Sequence, residues 1–439
     1  MKRTVALLLL ICMITIPSLS ACQTTSPQPA PETDSEPSGE LYRLLSSPEA
    51  FQALDDPDLA VSEELVQAYQ HFAYEFVKTV QQADPDSNIC LSPFSAFMAF
   101  ALCYAGSQSV TAEEFQTVFG MTKAQGTAFA QSLLSYFQIL ADRQGDKQTK
   151  VNLANSVWIN KDYEPYVKED YLKTAGEKYK ASIFSLNFQK DDALTAINNW
   201  CSDQTDGLVK EILDELNPDA VMVLINALLV EAAWREQYED YQVTHDKFTC
   251  ADGHEVDASY LCKTIGTCYI SEDAKAFKMP LEAGFSFVAI LPEEGITAKE
   301  YLSTLTSEKA GRLLSEETYC AVKTRIPQFQ LDYAIDLNEV MPVMGLRTGY
   351  HPTQADFSAM IEIPDHNVYI YESIQKTHFE LDQNGIKAAA VTAIVMDKEG
   401  SGMMGKEIEL FLDRPFVYML IHESSGIVLF EGIMNDLSK

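Results

Sequence analysis

Basic residues are scarce in this chain. Its 439 residues include 32 Lys and Arg against 64 Asp and Glu, a formal charge of −32. Such a surface repels polyanions, so nucleic acid, heparin-like chains and acidic membranes are not expected partners. A disulfide framework is also missing. Of nine cysteines, Cys12 lies in the N-terminal leader and Cys22 directly after it. The others, Cys90, Cys103, Cys201, Cys250, Cys262, Cys268 and Cys320, are odd in number and irregular in spacing. Cys90 and Cys103 flank or lie in an apolar stretch and read as small buried hydrophobes. Beyond the leader there is no membrane-spanning apolar run and no internal repeat. Catalytic motifs are absent too. The seven histidines are scattered, with no HExxH and no CxxC or His/Cys pair at zinc spacing. No GxSxG elbow occurs. Gly400 to Lys406 matches a phosphate-binding loop up to its lysine, but Glu407 follows where Ser or Thr is required. Ile408 to Leu412 then alternates like a strand, whereas that loop must open a helix. Neither enzyme activity, nor a metal, nor a cofactor is expected.

What is present begins with a targeting segment. Lys2-Arg3 precedes an apolar run over residues 5–16, the pattern of a signal peptide covering 1–21. Leu19-Ser20-Ala21-Cys22 resembles a bacterial lipobox, which implies cleavage before Cys22 and lipid on it; simple secretion after a cut behind Ala21 is the alternative. Residues 23–40 are rich in Pro, Ser, Thr and Glu without a large apolar side chain. We read 22–50 as a disordered, lipid-anchored tether and 51–439 as the folded domain. The expected location is extracellular, with membrane contact only through the lipid.

Hydrophobic periodicity predicts an amphipathic helix over 62–80, opened by Ser62. Ser92 and Pro93 are suited to the N-cap and first position of a second helix, 93–105, which is apolar nearly all round and so belongs at the centre of the core. Thr111 to Glu114 reads as a capping box, and 193–213 as helical. Strands are predicted at 151–159, 276–280, 285–291, 318–331, 368–381, 408–413, 416–422 and 427–433. The continuous apolar run 221–229 predicts a strand covered on both faces. The fold class is mixed α and β with large, mostly antiparallel sheets.

One stretch resists such assignment. In residues 381–416, Ile386, Ala388, Ala390, Thr392, Ile394 and Met396 share one face of an extended chain. Yet Ala388-Ala389-Ala390 is poor strand material, and Gly400, Ser401 and Gly402 follow. Conflict between pattern and propensity marks functional segments. Asn384-Gly385 followed by Ala388-Ala389-Ala390-Val391-Thr392 resembles the hinge of the serpin reactive-centre loop. Leu410 to Leu420, with Asp413-Arg414-Pro415-Phe416 at its heart, resembles the strand that follows that loop. Weaker matches run in order along the chain: Asn88 with Ser92-Pro93-Phe94-Ser95, Leu153-Ala154-Asn155, Ile197-Asn198-Asn199-Trp200, Leu224-Ile225-Asn226-Ala227 with Trp234, and Ile326-Pro327-Gln328-Phe329.

The resemblance implies a single unit of three mostly antiparallel sheets and about nine helices, with an exposed loop at about 383–408. It implies an inhibitor consumed by its target serine protease, acting as a monomer through a covalent complex. The hinge would comprise Gln383, Gly385, Ile386, Lys387, Ala388, Ala389, Ala390, Val391 and Thr392. Family spacing puts the scissile bond at Glu399-Gly400, with cleavage after Lys398 the alternative. Residues governing sheet opening correspond to Ser92, Ser95 and Asn226 under the sheet, Trp234 near its top, and Gln375 where the family often has histidine. Three departures stand in the hinge: Ile386 for a usual Thr or Ser, Lys387 for Glu, and Gln383 for Glu. Ile386 is expected to be the first side chain to enter the sheet, and to enter slowly. A non-inhibitory serpin-fold module for binding or adhesion is the alternative function.

Overall fold

Ser92 opens a helix, as its sequence predicts. In the computed structural model, which describes residues 41–55, 61–143, 149–364, 366–386 and 407–439, the Ser92 hydroxyl accepts the Ser95 N–H at 3.1 Å. Pro93 takes the first helical position, where its missing N–H costs nothing. In chain order the helices are α1 (Glu63–Ala83), α2 (Pro93–Gly106), α3 (Ser109–Phe119), α4 (Lys123–Arg143), α5 (Glu169–Tyr179) and α6 (Ala193–Gln204), then the short α7 (Ala298–Ser303), α8 (Ser307–Leu313) and α9 (Met341–Met344). The all-round apolar α2 is central. Phe97 meets the rings of Tyr69, Phe72, Phe119 and Phe129 from α1, α3 and α4 at centroid distances of 4.9 to 6.1 Å, mostly edge to face, as ring quadrupoles favour.

The strands are β1 (Tyr42–Ser46), β2 (Ile89–Leu91), β3 (Thr149–Asn160), β4 (Ala181–Leu186), β5 (Met222–Ala233), β6 (Val243–Thr249), β7 (Glu255–Ile270) and β8 (Ala274–Pro280). They continue with β9 (Phe285–Pro292), β10 (Glu317–Pro327), β11 (Phe329–Asp336), β12 (Ile374–Asp382), β13 (Gly385–Ile386), β14 (Glu407–Phe411), β15 (Phe416–His422) and β16 (Ile427–Met434). Among the described residues one sheet runs β1-β4-β3-β5-β13-β12-β11, and the other runs β14-β10-β7-β8-β9-β15-β16-β2, with β6 beside β7. Most pairs are antiparallel; β3 with β4 and β10 with β14 are parallel.

Several expectations need correction. Hydrogen bonding makes two sheets among the described residues, not three. The 16-residue β7 pairs with β6 and β10 along its length and with β8 at its end, which joins what would be a third sheet to the second. The compact unit starts at Leu41, inside the expected tether. Tyr42 to Ser46 pair with β4, and Tyr42 packs edge-on to Trp158 and Phe184. The stretch 318–331 is two strands, broken at Gln328. Thr111 and Glu114 form no capping box: α3 starts at Ser109, and Glu114 instead accepts the Arg347 N–H and the N–H and hydroxyl of Thr348 at 2.7 to 2.9 Å. Helix α6 stops at Gln204, capped by Thr205, whose hydroxyl donates to the Cys201 carbonyl at 2.9 Å and accepts the Val209 N–H at 3.1 Å; Asn198 then accepts the N–H groups of Ile212 and Leu213. Strand β5 is not covered on both faces; residues 222–224, 226 and 228 are only partly buried. Cys90 and Cys103 are buried, as predicted.

Candidate functional site

The site is a seam in the first sheet. Strands β5 and β12 lie on either side of β13 and, among the described residues, share no ladder of their own. Gly385 pairs with Ala233 and Asp382, and Ile386 with Ala232 and Leu381. The hinge therefore starts as a two-residue strand already lodged between its neighbours. Ile386 is buried. This corrects the expectation that it waits outside as the first side chain to enter: its apolar surface is already removed from water.

The turn that delivers it is tightly specified. Asp382 Oδ1 accepts the Asn384 N–H at 2.7 Å and the Gly385 N–H at 3.2 Å. Gly385 has φ +144°, and a Cβ there would lie 2.3 Å from the Ala232 carbonyl oxygen; only glycine fits. Gln383 is gripped from two sides. Its N–H donates to Gln328 Oε1 at 2.9 Å, and its Nε2 donates to the Tyr238 carbonyl at 3.1 Å and to Asp240 Oδ1 at 3.0 Å. Trp234, buried against Tyr238 and Phe287, donates Nε1–H to the Asp382 carbonyl at 2.9 Å and its backbone N–H to Asn384 at 3.2 Å.

Further along the seam, both flanking strands are tied to the N-terminus of α2. On the β5 side the Ser95 hydroxyl donates to Asn226 Oδ1, and Asn226 Nδ2 donates to Asn155 Oδ1 at 2.7 Å. On the β12 side Gln375 Oε1 accepts the Ser92 N–H at 3.0 Å, and Gln375 Nε2 donates to the Ser92 carbonyl at 2.9 Å. Thr377 adds a bond to the Cys90 carbonyl at 2.7 Å. Gln375 thus donates and accepts at one buried residue, a use its amide permits. Beyond this cluster a cavity of about 360 Å³ separates residues 222–226 of β5 from residues 367–376, floored by Ala99, Phe100 and Cys103 of α2.

The structure so gathers Ser92, Ser95, Asn226 and Gln375 into one network, and Trp234, Gln383, Gly385 and Ile386 into another. Sequence reasoning missed Asn155, Thr377, Asp382 and Gln328. Asn155 and Gln328 were in view within Leu153-Ala154-Asn155 and Ile326-Pro327-Gln328-Phe329, and Asp382 caps its own turn at Asn384 and Gly385; Thr377 carries no local signal, since its partner Cys90 is distant in sequence. Lys387, Ala388, Ala389, Ala390, Val391, Thr392, Lys398, Glu399 and Gly400 lie outside the described residues, as does Cys22. After them, β14 runs beside β10, and Leu412 N–H donates to the Arg325 carbonyl at 2.9 Å. No helix among the described residues is long and apolar enough to cross a membrane.

Comparison with known proteins agrees with this architecture. Serpin-Z1B of Triticum aestivum is 28% identical over 398 residues, covering 86% of this chain and 98% of that protein. Leukocyte elastase inhibitor A of Rattus norvegicus is 28% identical over 387 residues, covering 84% and 98%. The crystal structure of the thermophilic serpin tengpin in its native state superposes with a TM-score of 0.79 at 28% identity, covering 90% of this chain and all of that one. Tengpin in its latent state gives 0.73 at 27% identity, covering 86%. The profile of the family described as serpin (serine protease inhibitor) matches residues 67–437. With that match spanning most of the chain, and with a strand stub seated between β5 and β12, the protein belongs to the serpin family.

Proposed function

We propose that this serpin is a suicide-substrate inhibitor of an extracellular serine protease, monomeric and held at the cell surface by lipid on Cys22. The observation that carries the reading is the seam. Gly385–Ile386 occupies its upper end between β5 and β12, which share no ladder below it among the described residues. The greater likeness to native than to latent tengpin supports a starting state with the seam still to be filled.

The protease serine attacks the carbonyl of the scissile bond, expected at Glu399-Gly400 or after Lys398. The amine of the downstream segment leaves, and an ester joins the enzyme to the upstream piece. That piece continues from Ile386 down the seam. Small residues at Ala388, Ala389 and Ala390 let it pass between two existing strands. Each added ladder bond contributes about 0.5–1.5 kcal/mol net. The attached protease is dragged along, and a displacement of about 1 Å in its catalytic groups costs about a hundredfold in rate, enough to stall hydrolysis of the ester.

The test uses trypsin-like, elastase-like and glutamate-specific proteases. A complex stable to boiling in detergent is expected with one of them, with a released peptide beginning at Gly400 or Glu399 by mass spectrometry. Ala390→Arg should cut complex yield at least about tenfold and leave a cleaved substrate, since a buried unpaired guanidinium opposes insertion. Cleavage by every protease without a stable complex would contradict the reading and favour a surface binding module instead.

A further inference from the structure

Strands β6 and β7 are joined by a turn over residues 250–254. Cys250 N–H donates to the His254 carbonyl at 2.8 Å, and Gly253 N–H donates to the Cys250 carbonyl at 2.9 Å. The turn brings the Cys250 thiol and the His254 ring to one side. The segment after β16 runs alongside. Ala251 N–H donates to the Asn435 carbonyl at 2.9 Å, and Asn88 grips Asp436, accepting its N–H at 2.9 Å and donating to its carbonyl at 2.6 Å.

Three ligand atoms converge there. Cys250 Sγ is 3.3 Å from Asp436 Oδ1, His254 Nε2 is 3.8 Å from the same oxygen, and all three atoms lie within 4.8 Å of one another. Cys250 and Asp436 are buried; His254 is exposed. Tetrahedral zinc holds sulfur at about 2.3 Å and nitrogen or oxygen at about 2.0–2.2 Å, which sets neighbouring ligand atoms about 3.3–3.6 Å apart. The observed separations bracket that spacing. A second feature concerns the ring itself. His254 Nδ1 is 2.5 Å from Asp252 Oδ1, which leaves Nε2 facing the cluster. A carboxylate on the far nitrogen is how zinc-binding imidazoles are oriented. The other neighbours of Asp436 are the Ser438 N–H and hydroxyl on Oδ1, at 2.8 and 2.6 Å, and Lys439 Nζ 3.6 Å from Oδ2. A thiolate with an imidazole selects a borderline-soft cation over calcium or magnesium.

We propose that Cys250, His254 and Asp436 bind one zinc ion, with water as fourth ligand. Binding releases the thiol proton to solvent and staples the C-terminal segment to the β6–β7 turn. The staple adjoins the connection behind β14, because Thr249 N–H donates to the Asp413 carbonyl at 2.8 Å.

The test strips the purified protein with a chelator, then titrates it with Zn²⁺ and separately with Co²⁺. One equivalent of zinc by elemental analysis is expected. Cobalt should give a thiolate charge-transfer band and the intense visible bands of a tetrahedral centre. Asp252→Asn should weaken binding about 10–100-fold, and His254→Ala, at an exposed position, at least as much. Cys262→Ser should leave it unchanged. No bound equivalent at micromolar metal, or a His254→Ala protein that binds cobalt with the parent's spectrum, would overturn the proposal.

Discussion

Gln383 suits its surroundings in a way that glutamate would not. Its amide donates to Asp240 Oδ1 at 3.0 Å; a carboxylate in its place would face another carboxylate. The departure from the family pattern is therefore matched by a local partner, which the sequence around 383 does not reveal. Glu431 is the opposite case, a carboxyl on β16 that is fully buried, with neither oxygen hydrogen-bonded. Burial pushes it well above the usual carboxylate range. The folded state therefore keeps a proton that the unfolded chain gives up above about pH 4.3. With more protons bound in the folded state, stability falls as pH rises from there, by up to about 1.4 kcal/mol per pH unit until the folded carboxyl titrates. Glu431→Gln removes that slope. Urea unfolding at about pH 5 and about pH 7.5 should show the variant gaining on the parent as pH rises; a pH-independent difference would contradict the assignment.

At the scale of elements, legibility followed from how locally each one is specified. The cap and all-round apolar composition of α2 are local, and its range was read to within a residue. Strand β15 is apolar up to His422, and β16 is apolar except at Glu431 and Gly432; turn residues separate the two. Strand β7 escaped notice because its Thr, Ser and Lys residues face solvent in places and break the alternation. Strand β13 is too short to read: two residues have no propensity pattern, and pairing with Ala232 and Ala233 on one side and Leu381 and Asp382 on the other makes them a strand. In the Cys250, His254 and Asp436 cluster the Cys250–His254 pair, with three residues between, is local and was passed over in the sequence; only Asp436 was illegible, since it reaches the pair through the register of the C-terminal segment with Asn88. The same scale governs opening of the seam. Gln375→Ala removes two bonds to Ser92 and leaves its buried N–H unpaired, at about 1–3 kcal/mol, while the Ser92 carbonyl keeps the Ala96 N–H at 3.1 Å. We expect a lower melting temperature and faster spontaneous loss of inhibitory capacity on warming. Loss of stability without a faster loss of capacity would make Gln375 a structural tie only.

Taken whole, the described residues form two sheets packed with α2 into a large core, with β13 seated between β5 and β12 in one of them. Among the described residues, β5 and β12 each pair with β13 and share no ladder with one another beyond it. The mechanism we propose requires a kinetic barrier that keeps the seam open. The networks at Ser92 and at Trp234 sit where such a barrier would act, each tying a seam-lining strand or the hinge turn to a fixed element. The most direct measurement compares the thermal unfolding of the intact protein with that of protein nicked once between Met396 and Met404. Each kcal/mol gained raises the midpoint about 2–4 °C in a large domain, and a new central strand contributes several. The nicked form should therefore melt at least about 10 °C higher. Equal midpoints for nicked and intact protein would contradict a metastable fold with a seam waiting to be filled.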